Sequence, residues 1–387
     1  MKQNVGSYLI PTGLAIFSML FGAGNLMFPI NVGRIAGSSY PIATFGFLVT
    51  AAILPLIGLI PIILCRGDYV EFFGKIGKIP GTIAIFVCLT FIGPVYVMPR
   101  IVGVSHALLD PFIPGMSLVI FTILFLALTF LITYKESNII DILGKVMSPL
   151  LLISLFIIII KGYFTAGSTE VSSISSGTLF WKNFIYGYNT LDLFGAIFFS
   201  SIVISLLKKS LHVKSQADIK KLAIMGFKAG ALGTFLLSLV YIGLSYIGAF
   251  HGQSLSAINE AEVFSSISIK ILGNSGSIIV SIAVLMACLS TVVALATVFA
   301  EYLQSLTKNK LSYTTALVST LIATGFSSNF GLTWLLAFYE PFIIIAHPAL
   351  ILLTFLVILN KLFGFKYIKV PVLATFALSF VLHYWNI

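Results

Sequence analysis

The sequence predicts an all-α polytopic membrane protein of about twelve transmembrane helices, and three observations carry that prediction. Hydrophobic residues fill 59% of the 387 positions and charged residues only 9%, where a soluble domain carries about 25% charge. Apolar runs close to the roughly 20 residues that a spanning helix needs recur from one end to the other. Between them lie only short charged, Gly- or Pro-bearing stretches, so residues 1–387 read as a single transmembrane domain. The formal charge of +10 comes from Lys and Arg flanking the spans. No basic stretch stands apart from them, which argues against nucleic acid as a partner.

The helices are expected near residues 8–33, 40–64, 80–104, 117–134, 141–161, 188–207, 222–250, 271–304, 312–328, 330–346, 347–362 and 370–386. The first follows Met1-Lys2-Gln3-Asn4 without a small-residue cleavage site, so it reads as a span and not as a removed signal peptide. In its middle lies Phe21-Gly22-Ala23-Gly24-Asn25-Leu26-Met27-Phe28-Pro29. Glycine is a poor helix former, proline removes a donor and clashes with the preceding turn, and Asn25 adds an amide where water is absent. In hydrocarbon, unpaired backbone is tolerated only where protein or a wet cavity meets it. The stretch is therefore either a broken helix lending bare amides and carbonyls to a small solute, or a kink used for helix packing.

The third helix carries Pro94 and Pro99 on either side of Tyr96, which either gates a solute or belongs to a kinked packing helix. The sixth opens on Gly187-Tyr188-Asn189-Thr190-Leu191-Asp192-Leu193-Phe194-Gly195-Ala196, built like the first-helix motif. It is either a second break or a capped helix entrance. Transporters made of two inverted halves place their sites at corresponding interruptions, so breaks in helices one and six suggest two five-helix repeats. In the seventh helix Gly226, Gly230 and Gly233 have the spacing of close helix packing. In the eighth, Ser290 and Thr291 either bond back to their own helix or offer neutral oxygens to a sodium ion.

The tenth and eleventh helices divide at His347-Pro348, and a single kinked span there would lower the count to eleven. Glu340 and Asp192 are the candidate protonation sites. Of two more polar outer segments, residues 163–182 and 251–270, the second holds either a short amphipathic surface helix at 254–264 or a solvated loop. Lys and Arg fall mostly in the even-numbered turns, which sets the N-terminus inside. Arg34 and Arg100 count as outer flanking charges. Cys65, Cys88 and Cys288 and the five histidines show no metal or disulfide spacing. Nucleotide-binding glycine motifs are missing and no acid–base–nucleophile cluster lies within one span, so an enzyme is not expected.

Taken together these motifs resemble the bacterial branched-chain amino acid:cation symporter family. The likeness rests on residues 21–29, Gly46-Phe47-Leu48-Val49-Thr50-Ala51 with Pro55, Gly93-Pro94 with Pro99-Arg100, residues 187–192, residues 287–302 ending Phe299-Ala300-Glu301-Tyr302, and Ser327-Ser328-Asn329-Phe330-Gly331-Leu332. The resemblance, which runs in order from about Phe17 to Leu352, implies import of leucine, isoleucine and valine across the inner membrane, driven by sodium or protons. It implies a leucine-transporter-type 5+5 inverted repeat, roughly 8–161 and 188–346, with extra helices over 347–386 and helices one and six broken. Beyond the coupling ion no cofactor is implied; the partners are the amino acid, the cation and the bilayer.

Gly22-x-Gly24-Asn25 also resembles the unwound first helix of neurotransmitter:sodium symporters. Carried over, that pattern implies that the backbone of Leu20 to Asn25, with Gly22, Ala23, Gly24 and Asn25 as its substrate-binding residues, holds the amino acid's charged ends, and that Tyr188 and Phe194 line the side-chain pocket. The carbonyls of Ser18 and Phe21 with the hydroxyls of Ser290 and Thr291 would form one sodium site, and the side chains of Asn25 and Asn189 a second. Ser290 stands where the family often has threonine, and Leu191 where the distant relative has serine. The rival expectations are a symporter of the same fold for another small neutral amino acid and, further off, a channel or membrane-embedded enzyme.

Overall fold

Continuous apolar sequence with few β-branched alternations gives helices, and every regular element among the described residues is helical. The computed structural model describes residues 6–135, 139–211, 216–252, 262–273, 276–330 and 332–385. The first apolar run forms α1 (Gly6–Leu20) and α2 (Ala23–Ala36), separated at Phe21-Gly22. α3 (Tyr40–Leu48) continues through a wide turn at Val49–Ile53 into α4 (Leu54–Leu64). α5 (Tyr69–Gly74) starts at Asp68, whose carboxylate accepts from the amides of Val70 and Glu71. α6 (Lys78–Thr90) and α7 (Val97–Leu109) meet at Phe91–Val95, where Gly93 leaves helical geometry (φ −85°, ψ −124°) just before Pro94.

Next come α8 (Leu118–Thr133), the short α9 (Ile139–Ile142) and α10 (Ser148–Phe164). α11 (Ser176–Tyr186) passes through a tight turn at Gly187–Thr190 into α12 (Asp192–Leu211), with a bend of 41° between the two halves. α13 (Gln216–His251), α14 (Val263–Leu272), α15 (Ser277–Leu306), α16 (Tyr313–Ser328), α17 (Leu332–Phe363) and α18 (Lys369–Tyr384) complete the chain. Ser117, Ser175 and Ser312 accept first-turn amides at the starts of α8, α11 and α16, the role serine fills at helix N-termini.

Two expectations are corrected. Residues 330–346 and 347–362 are not two helices: α17 runs through His347-Pro348 without a break. A proline lacks one donor, and neighbouring helices can satisfy the freed carbonyl within a membrane bundle. The sixth span does not begin at 188 but at Ser176, so the polar stretch 163–182 is partly helical. Among the described residues six helical stretches are long and apolar enough to cross a membrane, or seven with the bent pair α11–α12. Shorter apolar helices run over Leu9–Leu20, Leu118–Thr133, Val263–Leu272 and Lys369–Tyr384. Of the predicted surface helix at 254–264, positions up to 261 lie outside the described residues, and so does the side chain of Glu340.

α13 is the post on which the site is mounted. A Cβ on Gly33 of α2 would fall 1.7 Å from the carbonyl oxygen of Ser245, and one on Gly248 would fall 2.0 Å from that of Ile30. The two backbones therefore touch, and the Ser245 hydroxyl donates to the Pro29 carbonyl at 2.9 Å. The Gly226, Gly230 and Gly233 row does the same work against Ile63, Leu59 and the Gly13 carbonyl. Such small-residue contacts are how membrane helices approach closely. Gly248→Val is expected to destabilise the protein by at least about 1–3 kcal/mol, because the added methyls meet backbone that no rotamer change can move. Thermal denaturation in detergent checks this, with Gly103→Ala, which meets nothing within 4 Å, as the neutral control. On the other side Thr50 donates to the Phe184 carbonyl at 2.7 Å, pinning the end of α11 against the α3–α4 bend.

Candidate functional site

Between α1 and α2 the chain runs extended through Gly22 (φ −101°, ψ −167°). A helix cannot satisfy its own first-turn amides, and glycine has no side chain to cap them. Asn25 takes part of that role, its Oδ1 accepting from the Gly22 amide at 3.2 Å. Its amide nitrogen donates to Asp192 Oδ2 at 2.8 Å and to the hydroxyl of Tyr241, which in turn donates to Asp192 at 3.0 Å. Three elements, α2, α12 and α13, are thus tied at one buried carboxylate.

The second interruption is made by Leu191, which adopts left-handed geometry (φ 62°, ψ 14°). A non-glycine residue there costs roughly 1–2 kcal/mol. The Thr190 hydroxyl then accepts from the Asp192 amide at 3.4 Å, and α12 restarts with its N-terminus turned toward that of α2.

A cavity lies where the two restarts meet. Its polar wall is Gly22, Ala23, Gly24, Asn25, Thr190 and Asp192, with Arg100 from α7 and Thr291 from α15; its apolar wall includes Leu20, Ile92, Val97, Ile101, Phe199 and Leu295. Arg100 and Asp192 are both only 5% exposed and are the buried Arg, Lys, Asp or Glu side chains among the described residues. Beside the cavity, Ser290 donates to the Ser18 carbonyl at 2.7 Å and Thr291 to the Met19 carbonyl at 3.0 Å.

The structure brings Gly22, Ala23, Gly24, Asn25 and Thr291 to the cavity, and Ser18 and Ser290 directly behind it. Other predicted residues are placed elsewhere. Tyr188 and Phe194 do not line the cavity; each ring packs 5.0 Å from that of His347 in α17. Residues 192, 195 and 199 share one face of α12, and position 194 is about 200° around the helix from 192. Tyr96 is fully buried behind Arg100, stacked 4.9 Å from Phe91 with its hydroxyl accepting from the guanidinium at 3.4 Å. Met19, not Phe21, faces Thr291. Phe21 turns its ring toward Phe17 and Tyr241 instead.

The amide of Asn25 and the backbone of Asn189 face different partners. Asn25 is held by Asp192 and Tyr241, while the Asn189 carbonyl accepts from Arg100 at 3.3 and 3.4 Å. Arg100 and Tyr241 are the residues that sequence reasoning missed. By sequence Arg100 counts as an outer flanking charge. The kink at Gly93-Pro94 is the only local signal that the helix turns inward there, and Tyr241 sits in an ordinary apolar run.

The family profile described as branched-chain amino acid transport protein matches residues 6–385. The chain belongs to that family. Two Bacillus subtilis (strain 168) members share its sequence closely. The branched-chain amino acid permease BraB is 32% identical over 91% of this chain and 80% of its own length. The branched-chain amino acid permease BrnQ is 33% identical over 94% and 84%. As named permeases, the relatives are transporters and not enzymes.

Two solved structures match this chain in fold at 13% identity. A Na⁺-coupled sialic acid symporter in a substrate-bound outward-open state gives a TM-score of 0.63 over 97% of this chain and 90% of that one. A nucleobase-cation-symport-1 family transporter in a closed conformation gives 0.58 over 97% and 92%. The fold is of the leucine-transporter type.

Proposed function

We propose that the chain is a secondary active importer of leucine, isoleucine and valine across the bacterial inner membrane, its N-terminus cytoplasmic, coupled to sodium entry. The supporting observation is a single cavity in which the starts of two interrupted helices form one wall and aliphatic and aromatic side chains the other. A zwitterion leaving water needs both charges compensated, and helix starts offer directed amides for a carboxylate. The apolar wall takes the branched side chain. The bundle is built of two repeats, roughly 8–161 and 188–346, and one group of helices rocks against the other to expose the cavity alternately.

For the cation, the Ser18 and Met19 carbonyls and the Ser290 and Thr291 hydroxyls form a cluster of four neutral oxygens, the donor chemistry a hard cation prefers. Each hydroxyl now donates to one of those carbonyls. Swinging both protons outward frees all four lone pairs for an ion. One observation favours a second reading, proton coupling: Asp192 lies buried in the cavity wall. Labelled leucine uptake into proteoliposomes, with sodium and proton gradients imposed separately, separates the two. Uptake that rises with sodium alone is the expected result, and uptake that follows only the proton gradient would sink the sodium assignment.

One methylene in an apolar pocket is worth about 1–3 kcal/mol. Unlabelled leucine, isoleucine and valine should therefore compete within about 200-fold of one another, whereas lysine and glutamate should not compete. Stronger competition by alanine or serine than by leucine would transfer the protein to another small amino acid.

A further inference from the structure

Gly195 lines the cavity from α12, and neither usual reason for a glycine applies to it. Its φ is not positive, and its amide is bonded to the Leu191 carbonyl at 3.2 Å, so the backbone there is ordinary helix, which alanine favours over glycine. Nor does it serve the close approach of two helices. A Cβ at Gly33 or Gly248 would strike the backbone of another helix, whereas one at Gly195 would first meet side chains, Phe199 Cε2 at 3.0 Å and Leu20 Cδ2 at 3.5 Å.

What the missing side chain makes room for is the ring of Phe199. A long side chain in an α-helix leans back over the turn before it, so this ring lies across the α12 backbone at Gly195. Gly195 and Phe199 line the cavity together with Leu20 from the end of α1, Ile101 from α7 and Leu295 from α15. Carbon atoms rest about 3.5–4.0 Å apart, and a methyl 3.0 Å from the ring would force it to shift. Phe199 is otherwise packed to 3% exposure, and the cavity is the side left open to it.

We propose that Gly195 and Phe199 are the specificity-determining pair of the cavity: the bare backbone at Gly195 holds the Phe199 ring back far enough to admit a branched aliphatic side chain, and the ring closes the space to larger ones. This deepens the functional reading above and rests on it. The apolar end is then sized for the isobutyl group of leucine and turns away aromatic amino acids. Its depth is set within α12, so the choice of side chain is separable from the polar wall and from the oxygens at Ser290 and Thr291.

The test is calorimetric titration of the detergent-solubilised full chain in sodium buffer with alanine, leucine and phenylalanine. Wild type is expected to prefer leucine to both of the others. Gly195→Ala, a change that the helix itself favours, is expected to lower the leucine-to-alanine preference by about 10–200-fold, the range that one methylene commands in an apolar pocket. Adding Phe199→Leu to Gly195→Ala gives the space back and should restore most of that preference. Phe199→Ala alone should raise phenylalanine binding relative to leucine.

A leucine-to-alanine ratio that Gly195→Ala leaves unchanged, whether or not both ligands weaken, would overturn the assignment and leave Gly195 a packing residue. A double variant no better than the single one would do the same. Wild-type protein that binds phenylalanine as tightly as leucine would overturn the size limit and leave the transport reading standing. Wild-type protein that binds none of the three would overturn the transport reading as well.

Discussion

Replacing both Ser290 and Thr291 with alanine is expected to abolish the sodium stimulation of leucine uptake in proteoliposomes, lowering uptake at a fixed sodium gradient by tenfold or more. Two of the four clustered oxygens belong to these hydroxyls, and a cation cannot be desolvated onto the two carbonyls that remain. Each single replacement removes one oxygen and should give a partial loss, and Thr291→Ser, which keeps the oxygen, should retain sodium dependence. The substitution also strips donors from the buried Ser18 and Met19 carbonyls, at about 1–3 kcal/mol apiece. Melting in detergent without sodium measures that cost separately. Sodium dependence that survives in the double variant would remove these residues from the ion pathway and turn attention to Asp192.

Asp192→Leu is expected to be the most damaging single replacement in the cavity wall. The Asp192 carboxylate accepts from both Asn25 and Tyr241, so leucine leaves two buried donors stranded at about 1–3 kcal/mol each. It also releases the start of α2 from that of α12. Both the melting temperature and leucine uptake should fall. Asp192→Asn retains an acceptor of the same shape and should melt close to wild type. Its uptake then reports on the charge alone: sodium-stimulated transport is expected to continue, and a loss confined to proton-driven uptake would mark Asp192 as the proton carrier. Equal melting temperatures for the leucine and asparagine variants would show that the tie contributes nothing to the fold.

Much of the fold and part of the cavity were legible in the chain. Residues 21–29 and 187–196 stand out because Gly, Asn and Pro are costly in a membrane helix unless a cavity repays them, and both stretches do border the cavity. Ser290 and Thr291 were identifiable by residue type, as neutral oxygens adjacent on one helix. The partners of each group were not legible. Thr291 faces Met19 rather than Phe21 because contact across α1 and α15 depends on where the last turn of α1 ends, and that is a matter of backbone geometry. Tyr188 and Phe194 looked like pocket rings, yet the left-handed turn at Leu191 directs 192, 195 and 199 inward and sends 194 against His347.

Arg100 shows most sharply where local reading ends. An arginine at the apparent end of an apolar run looks like a flanking charge, and only the bend at Gly93 and the absence of a side chain at Gly24 bring it into the centre of the molecule. By itself the sequence determined that this is a helical membrane protein with interruptions in two of its apolar runs, since hydrophobic length and helix-breaking residues are local properties. Tertiary structure alone decided which charges are buried together, which hydroxyl meets which carbonyl and which face of α12 looks into the cavity. Those depend on contacts between residues 49 to 272 positions apart, and no pattern within a single helix encodes them.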